Sequence, residues 1–285
     1  PLLFFHTRGF ISHDEGWVLN AASRILDGQV PYRDFYFLYT PGSIFSVAFF
    51  FKLFGESILA ARILAFIFSI LSVLLLYKII EQVTSNKLLV LSSVLLFLVW
   101  GPFQINFVWM VMLSITAGLA TIYFLQKSNR NSNYSYIAGI SAGATLLFKQ
   151  NFGIAIILVS IIAFIFNSKL RTKTQILNFV FGFSFVTGLF VIYLLANNSL
   201  FIFIEQMYHL MFQKVLIEGM LSSPFVYPDV FYKQILKLLF YISPLTISIL
   251  AAFLTLKNNR KLAHLATFPL FYYLLSIRPT TDLIH

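Results

Sequence analysis

His13–Gly42 reads HDEGWVLNAASRILDGQVPYRDFYFLYTPG. It is a polar island in a chain that otherwise alternates long apolar runs with short basic loops. Four of the ten acidic residues fall in it: Asp14, Glu15, Asp27 and Asp34. Across all 285 residues, 59% are hydrophobic, 11% are charged, and mean hydropathy is +0.85. A soluble domain carries about 25% charged residues, so the chain is an all-α polytopic membrane protein. With no Cys, disulfides and thiolate metal sites are ruled out. The net charge of +10 does not mark a nucleic-acid binder, because the basic residues sit in short loops between apolar runs, as membrane topology requires. Starting at Pro1 and stopping at His285 just past an apolar run, the sequence is expected to be a fragment lacking its first span and its C-terminal part.

Working outward, apolar runs fall at about 57–80, 88–104, 107–126, 134–148, 152–167, 175–196, 236–256 and 262–277. Eight crossings are expected from them. Lys78–Lys87, Lys127–Arg130, Lys169–Lys173 and Lys257–Lys261 are short and basic, hence cytoplasmic. The alternate segments then face outside: His6–Gly42, Trp100–Asn106, Lys149–Asn151, Asn197–Lys233 and Arg278–His285. Pro41–Phe54 is apolar but too short to span and carries Lys52, so it is expected at the outer interface or partly inserted. Any chemistry would be extracytoplasmic. No phosphate-binding Gly-rich loop of the P-loop or dinucleotide type is present.

Within the island, Ser12-His13-Asp14-Glu15 fits a capping box. Val18, Ala21, Ala22, Ile25 and Leu26 then share one helical face, with Asn20, Arg24 and Asp27 on the other. Such a helix would lie along the membrane surface. Gly28 stops it, residues 31–35 form an extended turn, and Pro41 opens the next helix. The helix macrodipole alone would favour acids at Asp14 and Glu15. Asp14, however, is expected to project toward the apolar face, where a merely solvated acid would not sit.

The island and its sequel resemble the first outer loop of the GT-C glycosyltransferases, especially bacterial relatives of protein O-mannosyltransferases and of the lipid A aminoarabinose transferase. The resemblance rests on Asp14-Glu15, Ala22 through Gly28, Pro31-Tyr32-Arg33-Asp34, Pro41, Leu53-Phe54-Gly55 and Ala61-Arg62-Ile63-Leu64. It covers about the first 80 residues, and Leu147-Phe148-Lys149-Gln150 resembles the family's helix ending in lysine. One departure stands out: Tyr39-Thr40-Pro41-Gly42 lacks both the lysine and the second proline usual before that helix.

The resemblance implies one GT-C-like domain over 1–285, with residues 5–42 as the catalytic loop. It implies a polyprenyl-phosphate-sugar donor, a lipid, glycan or protein acceptor, and no cofactor; no metal-ligand spacing is evident, and a divalent ion is left open. Asp14 would be the base, with Glu15 beside it and Asp34 orienting the acceptor or pairing with Arg33. Sugar transfer would invert configuration and expel a lipid phosphate, which needs cations. Arg33 and Lys149 are the foremost choices, with Arg24, Tyr32, Gln150 and Arg278 as further binding candidates. Lys149 lies between two short runs, so its tip should sit below the outer surface, where a charge is costly unless it faces a polar cavity; snorkelling is the bland explanation. Arg278, Asp282 and His285 form a polar group at the end of the chain, and an ordinary solvated loop would account for them. Asn197–Lys233 looks like a surface helix or lid. Two other classes compete: a transporter or flippase of a lipid-linked or anionic substrate, and an O-antigen ligase or polymerase. Transporters often carry internal repeats, and none is seen here. The expected location is a bacterial inner or plasma membrane.

Overall fold

The structure, a computed structural model, describes residues 14–100 and 107–209, with a few isolated positions between 246 and 267. The capping-box residues before Asp14, the expected spans at 236–256 and 262–277 apart from those positions, and Arg278, Asp282 and His285 lie outside the described residues. The described chain is helical and contains no strand beyond an isolated bridge from Pro31 to Phe35. Helix α1 covers Asp14–Leu26, α2 Gly42–Phe54, α3 Ile58–Glu81, α4 Lys87–Trp100 and α5 Met110–Ser128. They are followed by α6 Asn133–Phe148, α7 Gln150–Phe166, α8 Lys173–Ala196 and α9 Leu200–His209.

Local chemistry explains the boundaries. Asp14 and Glu15 in the first turn of α1 and Arg24 in its last turn complement the helix dipole. Gly28, at φ +81°, ends it, and the amides of Gly28 and Gln29 return to the carbonyls of Ile25 and Arg24. The Ser57 hydroxyl caps α3 by accepting from the Ala60 amide at 3.1 Å. Asn86 Oδ1 accepts from the amides of Leu88 and Leu89 at the start of α4.

The long helices bury small and polar residues and expose large apolar ones. On α3 the buried set is Ala60, Ala61, Arg62, Leu64, Ala65, Ser69, Ser72 and Ile79, whereas Ile63, Ile67, Ile70, Leu71 and Leu74 are exposed. On α8, Gln175 and Gly182 are buried while Phe181, Phe185, Leu189 and Ile192 face out. That inversion is expected where the surroundings are lipid and small residues let helices approach closely. A Cβ on Gly139 or Gly182 would stand 2.0 or 2.1 Å from a facing backbone oxygen, that of Phe179 or Tyr136; α6 and α8 therefore pack almost backbone to backbone. Helices α3, α5 and α8 are long and apolar enough to cross a membrane. Helices α6 and α7, with 16 and 17 residues, rise only about 24–26 Å, short of a ~30 Å hydrocarbon core.

The packing separates two ends. At one, the loops following α5 and α7 are tied together: Asn167 donates to Asn129 at 3.3 Å, Gln175 to the Ser128 carbonyl at 2.7 Å, and Asn178 to the Ser132 carbonyl at 3.1 Å. This is the end carrying the basic loops, with its own apolar core around Leu125, Ala138, Ile156 and Val159. The other end has a core built on Val18, Ala22, Phe37, Ile44, Ala61, Leu64 and Leu113. There α2 stays alongside α1. Its N-terminus abuts α6, where a Cβ on Gly42 would stand 2.6 Å from the Leu147 carbonyl oxygen. Just beyond its C-terminus Glu56 accepts from the Ser23 hydroxyl of α1 at 2.7 Å. The ambiguous segment is thus a 13-residue helix with both ends at the same end of the bundle.

Candidate functional site

The turn after α1 is built by its own side chains. Asp34 accepts from the Val30 amide at 2.7 Å and takes two bonds from Arg33, each at 2.9 Å. These contacts, the Arg33 guanidinium foremost, lower the Asp34 carboxyl to a pKa of about 2. Arg24 lies 4.5 Å over the Phe35 ring, bonds the Gln29 side chain at 2.5 Å and donates to the Asp34 carbonyl at 3.1 Å. Tyr32 adopts φ +71° with its ring buried, and its hydroxyl donates to the Tyr39 carbonyl at 2.7 Å. Burial holds that phenol protonated, well above its usual pKa. Asp34, for which pairing with Arg33 is one expectation, makes that pair, and Arg24 and Tyr32, expected from sequence to bind substrate, make contacts within the loop.

The loop docks on two distant segments. Arg33 donates to the Asn197 carbonyl at 3.4 Å, Gln206 of α9 donates to the Tyr32 carbonyl at 3.1 Å, and the Tyr32 ring meets Phe203 edge-on at 4.9 Å. The described start of Asn197–Lys233 is thus a helix lying against the first loop. On the other flank, the Thr40 hydroxyl donates to the Leu146 carbonyl at 2.7 Å and the Thr40 amide to Gln150 Oε1 at 3.4 Å. Lys149 breaks the path between α6 and α7 in extended conformation. Only 3% exposed, it places its ammonium 5.2 Å from the Tyr39 ring centre and 6.0 Å from that of Phe152. Lys149 thus stands beside the segment that lacks the family's lysine.

The two adjacent acids of α1 differ sharply. Glu15 is 1% exposed, and Arg62 of α3 grips it with Nε to Oε1 and Nη2 to Oε2, both at 2.7 Å. Asp14 is half-buried and makes no hydrogen bond or ion pair among the described residues. Glu15 shares the buried face with Val18 and Ala22, while half-buried Asp14, four residues before Val18 and seven before Ala21, stands at the same face in the first turn of the helix. Trp17, one turn on from Asp14, stacks on Phe37 at 4.6 Å and meets Tyr39 edge-on at 6.0 Å. Tyr39 in turn carries Lys149. Tyr39 thus joins Trp17 of α1 to the buried Lys149 ammonium. Sequence reasoning does not place Trp17, Tyr39 or Arg62 in the site. Arg62 leaves a signal, a lone cation five residues into an apolar span; Trp17 and Tyr39 leave none in a chain with this many aromatics. No group of three or more His, Asp or Glu that could hold a metal occurs among the described residues.

An all-α bundle with three helices long and apolar enough to cross a membrane is the fold class of a membrane glycosyltransferase of the GT-C kind. Residues 39–193 match the family model described as dolichyl-phosphate-mannose-protein mannosyltransferase, and the chain belongs to that family. The matched span takes in Tyr39, Arg62, Lys149 and Gln150 and begins after Asp14. No curated protein and no solved structure matches the chain.

Proposed function

We propose that the protein transfers a sugar from a polyprenyl-phosphate donor to an acceptor hydroxyl on the extracytoplasmic side, with inversion. The observation that supports this reading is the buried Lys149 ammonium held over Tyr39, whose ring meets Trp17 of α1, the helix whose first turn carries Asp14. A carboxylate is ionised at neutral pH unless strongly perturbed. Asp14 takes the proton of the acceptor hydroxyl, whose oxygen attacks the anomeric carbon from the face opposite the departing phosphate. The C–O bond to phosphate breaks, and the lipid phosphate leaves with the electron pair and an added negative charge. Lys149 balances that charge, and as a buried cation it acts in a medium where Coulomb attraction is little screened. Arg33, tied to Asp34, is a secondary contributor at the loop surface. Arg278, Asp282 and His285 remain candidates for the same site. Asp34, Arg24 and Tyr32 hold the loop in shape.

The test uses full-length protein in lipid, labelled polyprenyl-phosphate hexoses and a membrane extract as acceptor. Label transfer by wild type that disappears in Asp14→Asn supports the reading. Equal transfer by both proteins removes Asp14 from the chemistry. Donor binding without transfer by either would favour a transporter.

A further inference from the structure

We infer that the buried Glu15–Arg62 pair is a positioning device: it fixes the rotation of α1 about its axis and thereby aims Asp14 at the reacting centre. The inference rests on Asp14 being the base, and it concerns Glu15 and Arg62, whose charged groups bond each other. Glu15 and Arg62 are 1% and 4% exposed, and both carboxylate oxygens are bonded at 2.7 Å. Burying two charges is expensive, and well-packed apolar side chains of similar volume often serve stability equally well or better. What an apolar contact does not supply is direction. A planar guanidinium meeting a carboxylate through two parallel bonds fixes distance and angle together.

Here that constraint acts one residue from the open carboxylate. Successive residues are about 100° apart around a helix, so seating Glu15 on α3 determines where Asp14 looks. Among the described residues, Ser23 of α1 also bonds Glu56, just before α3, by a single exposed contact near the far end of α1, while the Arg62 fork holds the first turn. A side-chain carboxylate lies about 5–6 Å from the helix axis. A rotation of α1 by about 20° would therefore move it by about 2 Å, and an error of about 1 Å can cost ~100-fold in rate.

The experiment compares full-length protein carrying Glu15→Met with Arg62→Met, the single variant Arg62→Lys, and wild type, all in lipid nanodiscs. Arg62→Lys keeps the charge and loses the fork. Steady-state transfer is measured alongside melting temperature. A separate readout exploits the lack of cysteine: Asp14→Cys is introduced into each background, and the rate at which a water-soluble methanethiosulfonate modifies the new thiol is recorded. Both pair variants are expected to fold, to lose kcat by ~30-fold or more with donor KM unchanged, and to change the thiol modification rate at position 14 severalfold. Full kcat in a folded pair variant overturns the proposal. A fall in kcat with an unchanged modification rate also overturns it, because the pair would then act otherwise than by aiming residue 14. If the double variant does not fold, Arg62→Lys decides by the same two readouts. Should Asp14→Asn itself keep wild-type turnover, the base assignment fails separately, and the modification rate alone still shows whether the pair sets the orientation of α1.

Discussion

Two neighbouring carboxylates, Glu15 gripped by Arg62 and Asp14 half-buried beside it, mark the proposed site at the scale of single residues. Asp14→Asn keeps size and removes basicity, so turnover should fall by about 10²–10⁴-fold while the melting temperature holds, as transfer assays and thermal unfolding would show. Lys149→Ala should act mainly on donor use, raising donor KM about tenfold or more; unchanged kinetics would remove Lys149 from the site. Asp34 illustrates an acid spent on structure. Its carboxyl is depressed to about 2, so its contribution to the turn is complete above the ordinary carboxylate pKa of about 4 and is lost as pH falls through about 2. Between about pH 5 and 9 Asp34 should therefore contribute no step to a pH–rate profile. Asp34→Asn should loosen residues 30–35 at neutral pH, read as faster proteolysis of the loop. Both carboxylates of α1 were evident in the sequence, but which one would be buried was not. The answer hung on a rotation of under a third of a turn, set by an arginine 47 residues away.

At the scale of elements, α2 and the α6–α7 tip hold the first loop to the bundle. Gly42 permits this, since a Cβ there would collide with the backbone of Leu147. Gly42→Ala should cost about 1–3 kcal/mol and impair donor use together with stability, because it pushes Tyr39 and Thr40 away from Lys149 and Gln150. By contrast, Gly28 has open space around a Cβ but a φ of +81°. Gly28→Ala should cost ~1 kcal/mol of backbone strain, with Gly28→Asn milder. Paired thermal melts and donor titrations would separate the two glycines. Most helix boundaries were readable from apolar runs, caps and glycine stops, and six expected spans correspond to α3 through α8 within a few residues. Helix α2 was ambiguous because 13 residues of apolar character look the same on a membrane surface as within a bundle; its two end contacts, to Leu147 and through Glu56 to Ser23, decide where it lies.

For the whole molecule, the basic loops after α5 and α7 lie at one end of the bundle and the acid-bearing first loop, the Lys149 tip and α9 at the other. If the positive-inside rule orients it, the single variant Tyr36→Cys, at a position 58% exposed, should label with an impermeant maleimide in intact cells. Asn131→Cys, at an exposed position in a basic loop, should label only after permeabilisation; the reverse pattern would invert the topology. By itself the sequence determined the membrane class, the alternation of spans and loops, and the first loop as the place to look. Those follow from composition, periodicity and charge, which act locally along the chain. Only the tertiary structure decided that Glu15 is committed to Arg62 and that Tyr39 carries Lys149. Each of these turns on which side chain from a distant segment reaches a given carboxylate or ring first. That is a question of helix rotation and depth in three dimensions, and no local pattern encodes it.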